Sequence, residues 1–428
     1  MHRNFYFSEN VNYTKKFFMK NKMREKMKKL HLLFFVFYFF MFKLSFAQWL
    51  QTGFPTGNGG VYSFTVSGTT LFAGCQNGVF LTNNYGTNWS PAGLQGDEVI
   101  SFVFSGSTLF AGTAGHGIYS TTNNGISWIQ VNNGLTNFVI RTLAISGTNI
   151  FAGTESGIFR SSNNGTSWIA VNSGLTNTYI TSIAVSGSNI FAGTQGGVFY
   201  STNNGASWTA VNNGLTNTLI TALTFSGGSL FAGTQNGVFR TTNNGTNWTF
   251  IGLTGATFSA LLDIPGTGLL AANNLGNVFL STNNGSNWSN VSTGLPNMGI
   301  WCLAFIPGAD PIVFAGNDNS QVYRRLLTQM LSVKVISSIV PLQFNLSQNY
   351  PNPFNPNTKI QFALPKNVFL KLIIYDVLGR EVETIVNENL KAGTYEINWD
   401  ATNYPCGVYY YRLQTRDFVE TKKMILLK

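Results

Sequence analysis

Charge is scarce in this chain. Asp, Glu, Lys and Arg make up 10% of its 428 residues, and cysteine and histidine occur three times each. Cys75, Cys302 and Cys406 are too few for a disulfide framework, so the fold must hold by packing. Sequence gives no geometry for a Cys75 to Cys302 bridge. His116 is the only histidine between residues 48 and 331, and no metal-ligand spacing arises. The same stretch has no lysine, five arginines and six acids, a net charge of −1, which is the wrong surface for nucleic acid. Glycine is abundant, at 45 residues, but it punctuates hairpins instead of opening a helix, so no phosphate loop is formed and no cofactor is called for.

The formal charge of +10 is a property of the two ends. Residues 1–47 carry +8 and residues 332–428 carry +3. At the front, Lys26, Lys28 and Lys29 precede the apolar run Leu32 to Phe42, followed by the small residues Ser45 and Ala47. This pattern reads as an export signal cut after Ala47, because eleven apolar residues fall short of the roughly 20 that span a bilayer. A start at Met27 would give a signal of ordinary length.

What the sequence has in quantity is repetition. Phe151-Ala152-Gly153, Phe191-Ala192-Gly193 and Phe231-Ala232-Gly233 recur about every forty residues, each followed by a Ser/Thr-x-Asn-x-Gly-x-x-Trp element ending at Trp168, Trp208 and Trp248. Within one unit the alternation predicts a strand at Ile220 to Phe225, a turn at Ser226 to Gly228, and further strands at Leu230 to Gly233, Gly237 to Arg240 and after Trp248. Four short antiparallel strands per repeat make a propeller blade. The Phe-Ala-Gly strand recurs at Phe72, Phe110, Phe151, Phe191, Phe231 and Phe314, with Leu270-Ala271-Ala272 as a degenerate seventh. The box tryptophan has only six copies, Trp89, Trp128, Trp168, Trp208, Trp248 and Trp288. Trp49-Leu50-Gln51 is therefore expected to supply the missing outer strand of the last blade and close the ring.

The box, as in Ser201-Thr202-Asn203-Asn204-Gly205-Ala206-Ser207-Trp208, resembles the Asp-box of sialidase-type propellers, with Asn in place of Asp. Its physics is local: a short polar side chain bonds the hairpin backbone, Gly takes φ > 0, and Trp fills the gap beside the next strand. Six equivalent copies mark a staple, not a site. The repeats also resemble those of photosystem II assembly and stability factors, which implies a seven-bladed ring.

Composition changes after Arg325. Residues 327–343 read as a linker, and alternating strands follow at Lys359 to Leu364, Leu370 to Val377, Glu381 to Val386, Thr394 to Trp399, Val408 to Gln414 and Val419 to Leu427. Such a series suggests a small Ig-like β-sandwich. Asn349-Tyr350-Pro351-Asn352-Pro353-Phe354-Asn355-Pro356, Ile374-Tyr375-Asp376-Val377-Leu378-Gly379-Arg380 and the tail Lys422 to Lys428 closely resemble the type A sorting domain of the type IX secretion system. The chain has Cys406-Gly407 where that family has Ser-Gly. The resemblance implies a Gram-negative protein of the Bacteroidota and their relatives, with the outer-membrane type IX machinery as partner. The protein would then be released or attached at the cell surface. The sorting motif is carried by Asn352, Pro353, Phe354, Asn355, Pro356, Asp376, Gly379 and Arg380.

The expected fold is all-β: a seven-bladed β-propeller at residues 48–326, the linker, and a sandwich at 344–428. Ligands of propellers gather at the channel mouth, where the turns between second and third strands meet the loops between blades. Those turns carry Gln76, His116, Glu155, Gln195, Gln235, Asn274 and Asp318, and the loops add Phe138 and Tyr179. Such a mouth is polar, nearly uncharged and rich in amides, which suits a surface glycan or a protein ligand. A sialidase would need an arginine cluster and an activated tyrosine, yet Arg160 and Arg240 fall on third strands, away from the mouth. Other glycosidases need two carboxylates, and Asp97, Glu98, Glu155 and Asp318 sit on loops unlike one another. The reading is therefore a monomeric binding protein without catalysis. The alternatives are a carbohydrate-active hydrolase and a purely structural surface protein.

Overall fold

The computed structural model describes residues 48–427 apart from 332, 338, 402 and 403, and the export-signal reading of residues 1–47 lies outside the described residues. Seven four-stranded antiparallel sheets follow one another along the chain as blades 1 to 7. Blade 5 is typical, with strands Ile220–Ser226, Ser229–Thr234, Gly237–Thr241 and Thr249–Phe250. Gly227 and Gly228, at φ 53° and 78°, make the tight turn between the first two, which matches the right-handed twist of a hairpin. Its second strand is buried along its whole length, because neighbouring blades cover both of its faces. Gly233 shows how close that approach is: a Cβ there would lie 2.5 Å from the Phe258 carbonyl oxygen of blade 6.

The core is therefore distributed between blades. Phe191 and Val198 of blade 4 pack with Leu230, Phe239 and Trp248 of blade 5 in one apolar cluster, and similar clusters recur around the ring.

Blade 7 is assembled from both ends of the propeller sequence. Its strands Ile300–Ile306, Ile312–Asn317 and Val322–Leu326 are completed by Leu50–Gln51, with Leu50 opposite Arg324 and Gln51 opposite Tyr323. Seven blades and an N-terminal closing strand are what the tryptophan count predicts. Trp49 is 2% exposed, and its Nε1 donates to the Val291 carbonyl of blade 6 at 2.8 Å. Arg325 Nη1 donates to the same oxygen at 2.7 Å.

Each box forms the turn into the short outer strand. Ser201 Oγ donates to Asn203 Oδ1 at 2.9 Å and accepts from Gly205 N at 2.9 Å, while Asn203 Oδ1 accepts from Ser207 N at 3.0 Å. Two consecutive residues are left-handed, Asn204 at φ 55° and Gly205 at 77°, which explains the Asn-Gly pair, since Asn tolerates that region better than most side chains. The tryptophan reaches backwards, contrary to the expected packing beside the next strand. Trp168, Trp208 and Trp248 donate Nε1 at 2.8 Å to the carbonyls of Val131, Val171 and Val211, each just past the outer strand of the preceding blade. Trp128 and Trp288 do the same to Ala92 and Ile251, and Trp89 bonds Thr52 Oγ1.

The C-terminal module is a sandwich of two four-stranded sheets. One contains Asn345–Leu346, Asn357–Leu364 and Gly393–Asp400, the other Val368–Tyr375, Glu381–Leu390, Gly407–Thr415 and Val419–Leu426. The fourth strand of the first sheet is Val333–Ser337, paired with Gly393–Asp400. Part of the expected linker 327–343 is therefore sheet. Leu327 and Met330 before it are buried against the propeller core, so the segment free of both modules is shorter than the composition suggests. Phe354 of the sorting run is buried against Trp399, with ring centroids 5.6 Å apart, and its backbone bonds Ile425 of the final strand and Leu427 just past it. Asn352 Oδ1 accepts from Ile425 N at 2.9 Å, and Pro356 accepts from Ala401 N, while Pro353 and Asn355 are exposed. Asp376 Oδ1 accepts from the amides of Leu378 and Arg380 across a turn in which Gly379 has φ 75°, and Arg380 Nε donates to Asp376 Oδ2.

Candidate functional site at the channel mouth

All seven residues expected at the mouth occupy the turns between the second and third strands. Gln76 follows Thr70–Cys75, His116 precedes Ile118–Thr121, and Glu155, Gln195, Gln235, Asn274 and Asp318 hold the same place in blades 3 to 7. Six are exposed and Glu155 is half-buried. No hydrogen bond or ion pair among the described residues joins these seven to one another. His116, Gln76, Asn274 and Glu155 are engaged with their own neighbours.

His116 Nδ1 lies against Asp97 Oδ1. Gln76 rests over Gly59, where a Cβ would meet its side chain. Asn274 Oδ1 accepts from Thr257 N at 3.1 Å. Glu155 is the most constrained: Arg141 Nε donates to its Oε1 at 3.1 Å, Tyr179 OH donates to the same oxygen at 3.0 Å, and the Arg141 guanidinium lies 5.5 Å from the Tyr179 ring centroid. The bond from Arg141 holds the Glu155 carboxyl below the ordinary carboxylate range, while burial and the bond to Glu155 push the Tyr179 phenol up. A general acid needs its proton near neutral pH and a tyrosine nucleophile needs to lose one; both groups are shifted the wrong way. Among the described residues, no group of three His, Cys, Asp or Glu could hold a metal ion.

A second set of mouth residues comes from the first strands. In six blades this strand carries a β-bulge one residue from its start, at Tyr62, Ile100, Arg141, Thr181, Thr221 and Trp301. A bulge leaves one residue out of the ladder and re-aims its side chain, which puts this ring of residues at the mouth end of the inner strands. Blade 6 has Ser259 in the equivalent place, since Phe258 packs on Gly233 as Ile220 packs on Gly193. The signal was available in the sequence. Val61 and Phe64, Val99 and Phe102, Ile140 and Leu143, Ile180 and Ile183, Ile220 and Leu223, and Ile300 and Leu303 are three residues apart, whereas a regular strand repeats every two.

A polar cavity of about 790 Å³ lies elsewhere, bounded by Asp263 and Asn287 of blade 6 and by Lys371, Glu381 and Thr384 of the sandwich. The apolar clusters stay within either the propeller or the sandwich.

Residues 348–427 match the family model described as a secretion system C-terminal sorting domain. A search of the curated proteins by sequence finds no significant match. Among solved structures, YCF48 bound to a D1 peptide aligns with TM-score 0.54 and 17% identity over 66% of this chain and 96% of its own. YCF48 from Cyanidioschyzon merolae gives 0.52 and 17% over 65% and 98%. PorZ, a surface component of the type IX secretion system of Porphyromonas gingivalis, gives 0.53 and 14% over 87% of this chain and 60% of that one. At these identities the likeness is one of fold. The chain is thus a β-propeller whose residues 348–427 form a secretion-system C-terminal sorting domain, which implies export by the type IX route.

Proposed function

We propose that this is a monomeric surface or secreted protein that binds a glycan or protein partner at the propeller mouth and catalyses nothing. The sorting domain addresses it to the type IX machinery at the outer membrane, after passage of the inner membrane on a signal within residues 1–47. The observation that carries the binding reading is the state of the mouth carboxylates: Glu155 is committed to Arg141 and Tyr179, and Asp97 to His116. What remains for a ligand, beside the carboxylates Glu98 and Asp318, is a rim of amides and aromatic faces, groups that hydrogen-bond uncharged partners without desolvating a charge. Gln76, Gln195, Gln235 and Asn274 are the amides we assign to it. A propeller without lysine offers no purchase to nucleic acid.

The test has two arms. In a Gram-negative host with a type IX system, the full chain is expected outside the cell and a chain lacking residues 344–428 in the periplasm; finding the shortened chain outside refutes the export assignment. In a glycan-hydrolysis screen the purified protein is expected to give no turnover. Turnover that disappears in Glu155→Gln overturns the non-catalytic reading.

A further inference from the structure

We infer that the sector of the mouth formed by blades 6, 7 and 1 is a subsite for a neutral sugar, with Trp301 as the stacking platform and Glu98, Asn274 and Asp318 as hydrogen-bonding partners. The inference rests on the reading of the mouth as the binding face and assigns its ligand class.

Trp301 differs from every other tryptophan in the chain. Trp49, the six box tryptophans and Trp399 all donate their indole N–H to an acceptor within the fold. Trp301 has no such partner among the described residues, and it is 40% exposed. The bulge between Ile300 and Cys302 turns it out of the ladder. Gly299 brings its polar edge beside Asn274: a Cβ on Gly299 would stand 3.3 Å from the Asn274 carbonyl oxygen and 3.5 Å from Trp301 Nε1. An exposed indole keeps its apolar face in water, and a ligand that covers the ring and accepts from the N–H in place of water recovers that burial while keeping the donor satisfied.

The neighbouring blade continues the same pattern. Tyr62, on the bulge of blade 1, folds its ring over Gly60, where a Cβ would lie 2.6 Å from Tyr62 Cζ. Ser320 Oγ donates to the Gly59 carbonyl at 2.7 Å and Ser63 Oγ to the Val99 carbonyl at 3.3 Å, which brings the turn of Asp318 and the strand start at Glu98 up to the segment that carries Tyr62. Neither carboxylate has a side-chain hydrogen bond or ion pair among the described residues, in contrast to Glu155 and Asp97.

An open indole face beside unpaired acceptors matches a sugar ring, which presents a C–H face to an aromatic and hydroxyl donors at its edge. Two unpaired carboxylates repel sialic and uronic acids, so the sugar is neutral. A protein hot spot would instead ring its aromatic anchor with dry contacts, whereas the polar edge of Trp301 lies by the Asn274 backbone, and the turn of Asp318 follows Asn317, the ladder partner of Ile300.

The experiment is a glycan array carrying neutral, amino-sugar and sialylated or uronic-acid glycans, followed by calorimetry with the best neutral ligand. The mature chain is expected to bind neutral glycans and not acidic ones. Trp301→Ala should weaken binding about tenfold or more, on the scale of the apolar face uncovered. Trp301→Phe should recover part of the loss, and Ile126→Ser, on the far side of the molecule in the box of blade 2, should change nothing. Circular dichroism and melting temperature confirm that each variant is folded. The double variant Glu98→Gln, Asp318→Asn is expected to admit acidic glycans. Neutral-glycan binding undiminished in Trp301→Ala overturns the inference, as does a preference for acidic or amino sugars. Capture of a protein at the mouth with no glycan bound would sink the sugar assignment while leaving the binding function intact.

Discussion

Replacing Trp49 by alanine should open the ring. Trp49 is 2% exposed, and a buried Trp→Ala change costs about 3–5 kcal/mol in transfer and cavity terms. The Val291 carbonyl is not orphaned by the change, because Arg325 Nη1 still donates to it at 2.7 Å, so loss of the indole hydrogen bond adds only about 1 kcal/mol. The decisive comparison is with the strand's own ordering. Holding Trp49, Leu50 and Gln51 in place costs about 1–2 kcal/mol of backbone entropy per residue, and the pairing with Tyr323 and Arg324 is only two residues long. Without the indole, ordering outweighs the remaining bonds and the strand detaches. Trp168→Ala is the control, since Trp168 is equally buried and bonded but lies in unbroken chain, where no strand can leave.

For a propeller of roughly 280 residues, a loss of about 4 kcal/mol lowers the melting temperature by about 6–8 °C. Both variants should show this. Only Trp49→Ala should also bare the edge of Val322–Leu326, giving faster amide exchange there and concentration-dependent association. Calorimetry, hydrogen exchange and light scattering on the two proteins decide the matter. If Trp49→Ala remains monomeric and protects Val322–Leu326 as well as Trp168→Ala does, the closing strand is not anchored by Trp49.

Ser201→Ala removes the hydroxyl that accepts from the buried Gly205 amide, and should cost about 1–3 kcal/mol by chemical denaturation, with ligand binding at the mouth unchanged. Glu155 has a folded pKa depressed below its ordinary 4.5 by Arg141. Its contribution is thus full above pH 4.5 and vanishes as pH falls through the lower folded value; the melting-temperature gap between wild type and Glu155→Gln should be constant down to about pH 4.5 and close as the pH is lowered further. Cys75 and Cys302 are buried and free, with burial pushing the Cys75 thiol to about 11 and the Cys302 thiol well up, whereas Cys406 is exposed. A thiol reagent near pH 8 should modify one cysteine in the native protein and all three after unfolding, and rapid modification of two or more in the native state would contradict this packing.

The sequence by itself determined the number of blades, their four-strand plan and the closing role of the N-terminal strand. A unit that cannot cover its own faces must repeat and close, and seven Phe-Ala-Gly strands against six box tryptophans leave one strand to be found at Trp49. It also marked the sorting domain, because that module's turns and strand ends need particular residues such as Asp376 and Gly379. Only the tertiary structure decided which mouth residues are free to act. Glu155 is spent on Arg141 and Tyr179, groups 14 and 24 residues away, and Trp301 is singled out by having no acceptor among the described residues. The direction in which each box tryptophan packs and the sheet partner of Val333–Ser337 were decided there too. Pairing across blades depends on which loops the ring brings together, and local periodicity carries no information about partners that meet only when the chain closes.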